Sequence, residues 1–397
     1  MAERLAVDGG KPVRKKRLPF YHPVIGGPEV RAVTRVLRSG WITSGPITSK
    51  FEQALAKHVS GQPVAAVNSA TSGLTLALHA LGVGPGDEVI TTPLTFVATA
   101  NVIVHLGARP VFADVDPDSL TLDPRSVARA ITRKTRAIVP VHLAGHPADM
   151  TALLRLARKK HLAVVEDAAH AFGAVYKGRP IGSWGDATVF SFHAVKNVTT
   201  AEGGAVTSRS QALIDRVRLL ANHGLDHDTW HRVRAQRWRY TMTAAGFKAN
   251  LTDLQAALGL AQLDRFAAFQ RRRREIVAAY QRAFRSLPQV QVPPELIKGL
   301  HAWHLYLLRL RPERLGVSRD GFLEALAAEG ISANVHYVPV HLQPYYRRTL
   351  NYRSGSLPVA EAASASIVTL PLYPAMTQGD VRDVIAAVRK LAHSYQR

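Results

Sequence analysis

Cysteine is absent from the 397-residue chain, which excludes a disulfide framework, a thiolate metal site and a thiolate nucleophile. A cytoplasmic setting is the expectation, and no metal is expected. Long apolar runs are also missing. Nothing approaches the roughly 20 residues that a membrane-spanning helix needs, and the basic segment 1–17 lacks the apolar core of a signal peptide. Membrane insertion is therefore not expected. Acidic residues are scarce, with 29 Asp and Glu against 51 Lys and Arg, for a formal net charge of +22. That excess suits a polyanionic partner, yet the basic residues are spread along the chain and form runs only at 14–17 and 271–274. The second run accompanies Ile276, Tyr280, Phe284 and Leu287 at helical spacing, so most of its arginines are expected on a solvated face. Specific nucleic-acid binding is not expected, because a small anionic substrate needs only a few of these charges.

What remains is an ordinary globular composition, 47% hydrophobic and 20% charged, in a chain long enough for two domains. Residues 1–27 form an extended arm punctuated by Gly9, Gly10, Pro12, Pro19 and Pro23. A first helix covers 26–39. From 64 to 207, apolar segments of strand length alternate with helical patterns, which predicts an α/β domain with a mostly parallel sheet covered on both faces. A capping box at Thr252 and Gln255 opens a long helix, and a second helix follows it through Phe284. This pair bridges to a smaller domain with strands at 303–310 and 331–338, helices at 319–329 and 379–393, and a loop at 345–356. The division is thus an arm at 1–27, a large domain at 28–255, and bridging helices with a small domain at 256–397.

The chain is organised around Lys196. It lies in a Thr- and Gly-rich loop between two short buried strands, 189–192 and 205–207. An ammonium there is partly desolvated, which lowers its pKa and frees an amine able to attack a carbonyl. A lysine snorkelling out of a strand end is the alternative. Three further features suit one ligand. Asn68-Ser-Ala-Thr-Ser-Gly73 ends a strand and opens a helix, an anion site made of backbone N–H groups and the Thr71 and Ser72 hydroxyls, or else simple helix capping. Val164-Val-Glu-Asp-Ala-Ala-His170 sets two carboxylates at the carboxyl end of a strand, where one can hold a ring nitrogen protonated or merely cap a helix. Phe96 can lie flat on a planar ring, although such a residue is more often core. A phosphate cradle, a ring-nitrogen carboxylate, a stacking aromatic and a desolvated lysine are together the requirements of pyridoxal phosphate.

The chain also resembles the DegT/StrS group of nucleotide-sugar aminotransferases. The resemblance runs from about Gly9 to Leu391 and includes Gly9-Gly-Lys-Pro-Val-Arg14, Ser39-Gly-Trp-Ile-Thr-Ser-Gly-Pro46, Gly86-Asp-Glu-Val-Ile90, Glu166-Asp-Ala-Ala-His170, Tyr176-Lys-Gly-Arg179, Ser191-Phe-His-Ala-Val-Lys-Asn197, Glu202-Gly-Gly204, Asn250-Leu-Thr-Asp253 and Val335-His-Tyr-Val-Pro339. It implies the fold type I architecture, with a mostly parallel seven-stranded sheet and a smaller α+β C-terminal domain, and a homodimer with shared sites.

The resemblance further implies Lys196 as the Schiff-base lysine, Asp167 as the pyridinium partner and Phe96 as the stacking ring. Thr71, Ser72 and Ser191 match phosphate contacts. His170 stands where many relatives have Gln, near the cofactor ring, and Asn250 matches a residue that reaches the phosphate from the neighbouring subunit. His336 and Tyr337 lie where relatives place substrate-side residues. The implied reaction moves an amino group from L-glutamate, through the pyridoxamine form, to C4 of a UDP-linked 4-ketosugar of pentose or 6-deoxy-N-acetylhexosamine type. The alternatives are a 3-aminotransferase or dehydratase of dTDP-deoxysugars and a regulator that uses the fold without turnover.

Overall fold

Short apolar segments build the central sheet. The structure is a computed structural model that describes residues 4–226, 230, 238–294 and 299–397. Its strands are β1 (Val64–Val67), β2 (Glu88–Thr91), β3 (Arg109–Phe112), β4 (Thr135–Val139), β5 (Ala163–Asp167), the two-residue β6 (Val175–Tyr176) and β7 (Arg179–Pro180), β8 (Ala187–Ser191) and β9 (Gly204–Thr207). Seven of them form one sheet in the order β1-β9-β8-β5-β4-β2-β3. Every neighbouring pair is parallel except the two that involve β9. All residues of β1, β8 and β9 are buried, as both faces of a helix-covered sheet require. The carboxyl ends of the six parallel strands share one edge, and β9 presents its first residue, Gly204, at that same edge. Ligands bind at such an edge in open α/β sheets.

The second sheet is antiparallel, in the order β10 (Val290–Gln291), β12 (Tyr306–Leu310), β13 (Ile367–Leu370), while β11 (Gly299–Leu300) joins β6 and β7 in a small ribbon. One helix connects the two cores. Asp253–Phe284 runs unbroken for 32 residues, about 48 Å, where the sequence predicts two helices. No proline interrupts it, and its arginine run is made of good helix formers. Leu263 and Phe266 pack under the large sheet, whereas Ile276, Tyr280 and Phe284 pack with Tyr306 and Leu308 of the second. We propose two units, 28–255 and 256–397, with the first turns of this helix completing the core of the first unit.

Other segments depart from expectation. The strand expected at 331–338 does not form: only single bridges at Ile331 and Asn334 exist, and the chain instead leaves the sheet carrying His336 and Tyr337. The expected loop at 345–356 opens with a helix, Pro344–Leu350, started by proline and ended by Asn351 in left-handed conformation at φ 57°. Helices Pro46–Ala56, Gln211–Ala221 and Pro358–Ser366 add to the elements expected from the sequence pattern. The arm is docked, because the fully buried Glu329 carboxylate accepts the backbone N–H groups of Ala6 and Val13, both at 2.9 Å, and pairs with Lys390 at 2.9 Å. Among the described residues, no helix is long and apolar enough to cross a membrane.

Candidate active site

The first wall of the site is the start of helix Ala70–Ala80. Ser69 caps it by accepting the Ser72 N–H at 3.1 Å, and the Ser69 and Ser72 hydroxyls lie 3.0 Å apart. Thr71 is exposed beside them. This helix start is pressed onto the sheet: a Cβ on Gly204 would stand 2.7 Å from Ala70 N and 2.8 Å from Phe190 O. Gly204 pairs with the buried Ser191, so Ser191 adjoins the Ser69–Ser72 turn. Asn250 bridges to Val67 at the other side of β1, where its amide donates to Ser44 and its Oδ1 is buried without a partner.

The two carboxylates of β5 part company, as strand alternation requires. Asp167 stays at the edge, 5% exposed, accepting the Thr99 hydroxyl at 2.7 Å and the Ala169 N–H at 3.1 Å. Thr95 lies 2.9 Å from Thr99 and extends the chain of hydroxyls. Glu166 points the opposite way into the core, where the Gly185 N–H, the Thr188 hydroxyl and His142 Nε2 meet it at 2.8, 2.6 and 2.9 Å. Since His142 Nδ1 accepts the Ala148 N–H, the proton is on Nε2, and Glu166 is fully committed.

Lys196 sits in the loop between β8 and β9, its N–H on His193 O at 2.9 Å. The residue keeps some surface open, yet desolvation of its ammonium dominates and brings the pKa down from 10.5 to about 8, against the opposing pull of Asp167. The docked arm secures this loop, because the Tyr21 hydroxyl donates to the Ala194 carbonyl. Around Lys196 stand imidazoles held neutral. Burial first, then Lys196, pushes His170 and His304 well below the usual histidine range and His336 to about 4. The rings of His170 and His304 are 4.5 Å apart. Tyr337 Oη lies 3.1 Å from His170 Nε2, and its ring faces Phe96 at 6.2 Å. Phe96, against the statistical expectation of core, is 58% exposed.

Arg273 is the buried member of a run whose arginines are mostly expected on a solvated face. It is 1% exposed, and its guanidinium donates to the carbonyls of Trp303, His304 and Leu372 at 3.1, 3.2 and 2.9 Å. Burial lowers its pKa to about 10. These bonds tie the long helix to the segment that carries His304. Thr99, Tyr21, Arg273 and His304 all escaped sequence reasoning.

The model of the DegT/DnrJ/EryC1/StrS aminotransferase family matches residues 23–389. The chain belongs to this family. The spore coat polysaccharide biosynthesis protein SpsC of Bacillus subtilis is 46% identical over 380 residues, covering 95% of this chain and 98% of that protein. The putative sugar aminotransferase Spr1654 of Streptococcus pneumoniae, in its pyridoxamine phosphate form, superposes with a TM-score of 0.89 at 36% identity, covering 95% of this chain and 99% of that one. The same protein is also known in a pyridoxal phosphate form. DesI, solved in the presence of its TDP-sugar product, superposes at 0.89 with 34% identity, covering 99% and 97%. Members of the DegT/DnrJ/EryC1/StrS family are sugar aminotransferases that use pyridoxal phosphate, and this chain is one of them, with the fold type I architecture.

The side chains fit that cofactor. An uncovered phenylalanine face, a buried carboxylate with oxygens still able to accept, a near-neutral amine and a helix start with exposed Thr71 are the groups that a planar, phosphorylated pyridine aldehyde needs.

Proposed function

We propose that this pocket transfers an amino group from L-glutamate to C4 of a nucleotide-linked 4-ketosugar, of UDP-4-keto-pentose or UDP-4-keto-6-deoxy-N-acetylhexosamine type. The observation that supports it most is Lys196, an amine with a pKa near 8 beside Asp167 and a set of neutral imidazoles. In this reading Thr71, Ser72, Ser191 and the helix start hold the phosphate, Phe96 covers the ring, and Asp167 stabilises a protonated ring nitrogen. His170 lies against the cofactor ring with its own ring face, Asn250 completes the phosphate contacts, and His336 and Tyr337 face the sugar. Pyridoxal phosphate, when bound, supplies the electron sink that lets amino group and proton change carbons. Lys196 moves that proton: at a pKa of about 8, roughly one lysine in ten is unprotonated at pH 7.

The uptake of pyridoxal phosphate by apoprotein should therefore rise about tenfold per pH unit and level off above about 8, since only the free amine reacts. Stopped-flow absorbance across pH 6 to about 10.5 reads it. A rise that continues past about 10 would mean that Lys196 behaves as an ordinary solvated lysine.

Asp167→Asn should fold, because Thr99 can turn its hydroxyl to suit an amide while keeping Thr95. Its transamination should be slower by about 10²- to 10³-fold, since an amide cannot hold a pyridinium charged. Steady-state rates test this. A wild-type rate would be decisive against the role, as Glu166 is turned away and engaged elsewhere.

The TDP-sugar product of DesI makes thymidine-linked ketosugars the rival acceptors. The retained Lys196 speaks against the dehydratase alternative, whose branch replaces it by histidine. A panel of UDP- and dTDP-ketosugars incubated with glutamate, with products assigned by NMR, decides nucleotide, sugar and carbon. The proposal includes a homodimer with shared sites. It is supported by an exposed apolar surface on the first helix, including Val30 at 59%, and by Pro23, Ile25, Val33, Ala194 and Leu258, which line a hollow against the lysine loop.

A further inference from the structure

Proton counting fixes the direction of one hydrogen-bond chain in the pocket. His170 Nδ1 lies 3.2 Å from the backbone nitrogen of Ala144. An amide N–H only donates, so Nδ1 must accept. A neutral imidazole has one acceptor nitrogen and one donor N–H, which places the hydrogen on Nε2, and an imidazolium would have no acceptor for Ala144 at all. Nε2 is 3.1 Å from the Tyr337 hydroxyl, so Nε2–H donates and the phenol oxygen accepts. The Tyr337 proton then has to point elsewhere. Among the described residues Tyr337 makes no other hydrogen bond.

The chain starts from a fixed point, because the Ala144 carbonyl is itself pinned by the N–H groups of His304 and Leu305 at 3.0 and 3.2 Å. The phenol ring lies nearly parallel to His170, at 21° and 6.1 Å, and packs against His336 at 4.8 Å. Burial and Asp167 raise its pKa, which keeps it a neutral donor. With Phe96 on one side and Asp167 near enough to act on it, the free proton borders the space assigned above to the cofactor ring and the sugar.

We propose that Tyr337 donates a hydrogen bond to an electron-rich oxygen of the bound ligand, and that His170 is the positioning residue that aims it by occupying the phenol's lone pair. Two oxygens of the reaction share that chemistry: the phenolic oxygen of pyridoxal phosphate and the keto oxygen of the sugar. The assignment of a ligand oxygen rests on the transaminase reading, whereas the direction of the chain does not.

The test begins on the apoprotein with 15N-labelled histidine. Long-range 15N–1H spectra should show His170 neutral, with Nε2 protonated and Nδ1 bare, whatever the activity. In the holoenzyme, Tyr337→Phe should lower kcat by about 10²-fold with little change in KM. If the acceptor is the cofactor's oxygen, the same variant shifts the pH titration of the visible band in the absence of substrate. If it is the sugar's, that titration is unchanged and only the ketosugar half-reaction slows. His170→Leu should reproduce the loss, and His170→Gln, whose amide can accept from Ala144 and donate to Tyr337, should recover most of it. A hydrogen on Nδ1 of His170 overturns the proposal, as does a Tyr337→Phe enzyme with wild-type titration and wild-type half-reactions. A holoprotein that transaminates no ketosugar would refute the substrate reading and leave the tautomer result standing.

Discussion

Replacing Lys196 by alanine is expected to remove both the visible band that depends on the bond between lysine and cofactor and the transaminase activity, while leaving the chain folded. The fold should survive because the loop is held by backbone: the Lys196 N–H on His193, the Ala194 carbonyl under Tyr21, and the Phe192 N–H on Gly203 O at 2.9 Å. Removing a desolvated ammonium also relieves an unfavourable burial. The chemical loss is total in kind, since a methyl group neither bonds the aldehyde nor carries a proton. General acid–base catalysis alone accounts for about 10²- to 10⁴-fold, so activity should fall by more than roughly 10⁴-fold. A secondary signature follows from the charge: His170, His304 and His336 lose one cause of their depression, so their pKa values should rise in the variant. Absorbance spectra, single-turnover assays and histidine NMR read these together. A variant that keeps full activity would show that another amine does the work, and the site would have to be redrawn.

The parts of the molecule legible in the sequence are those where local pattern and tertiary demand agree. β1 and β2 are short, mainly apolar segments framed by turns, and both fall within the alternation expected from 64 to 207. The Asn68–Gly73 turn, the Asp167 strand end and the Lys196 loop each fall on a sheet edge, because they end or precede strands and the edge follows from topology. The illegible parts depend on contacts distant in sequence. Phe96 is exposed only because no protein side chain covers it, a fact about the pocket that composition cannot carry. Tyr21 serves the lysine loop from 173 positions away, and His304 meets His170 from across the second sheet's connection. Arg273 is an instructive case. Its place in a four-arginine run suggested solvent, yet it also falls at helical spacing with Phe266, Phe269, Ile276 and Tyr280, and that stripe decided its burial. The segment 331–338 has β-branched residues but pairs only through single bridges at Ile331 and Asn334, and it carries His336 and Tyr337 away from the sheet.

Mixing two inactive variants should restore activity if the sites are shared. Asn250 flanks β1 of its own chain with a buried, unpartnered Oδ1, at the end of an exposed segment that includes Trp238 at 77% and Met242 at 65%. Large apolar side chains left to solvent beside a would-be phosphate contact fit a surface that a second copy covers. In a two-fold dimer of this kind, each pocket takes Lys196 from one chain and Asn250 from the other. Lys196→Ala chains mixed with Asn250→Ala chains then form heterodimers in which one pocket carries both lesions and the other neither. With random exchange about half the dimers are mixed and half of their pockets are intact, so activity should climb from near zero to roughly a quarter of wild type. The experiment uses co-expressed, differently tagged chains, with each parent assayed alone to establish that Asn250→Ala is itself strongly impaired. Purification through both tags isolates the mixed dimer, in which recovery should approach about half. Mixed dimers no more active than the two parents would place Asn250 in the pocket of its own chain, beside the β1 strand that it already touches, and the shared-site arrangement would be wrong.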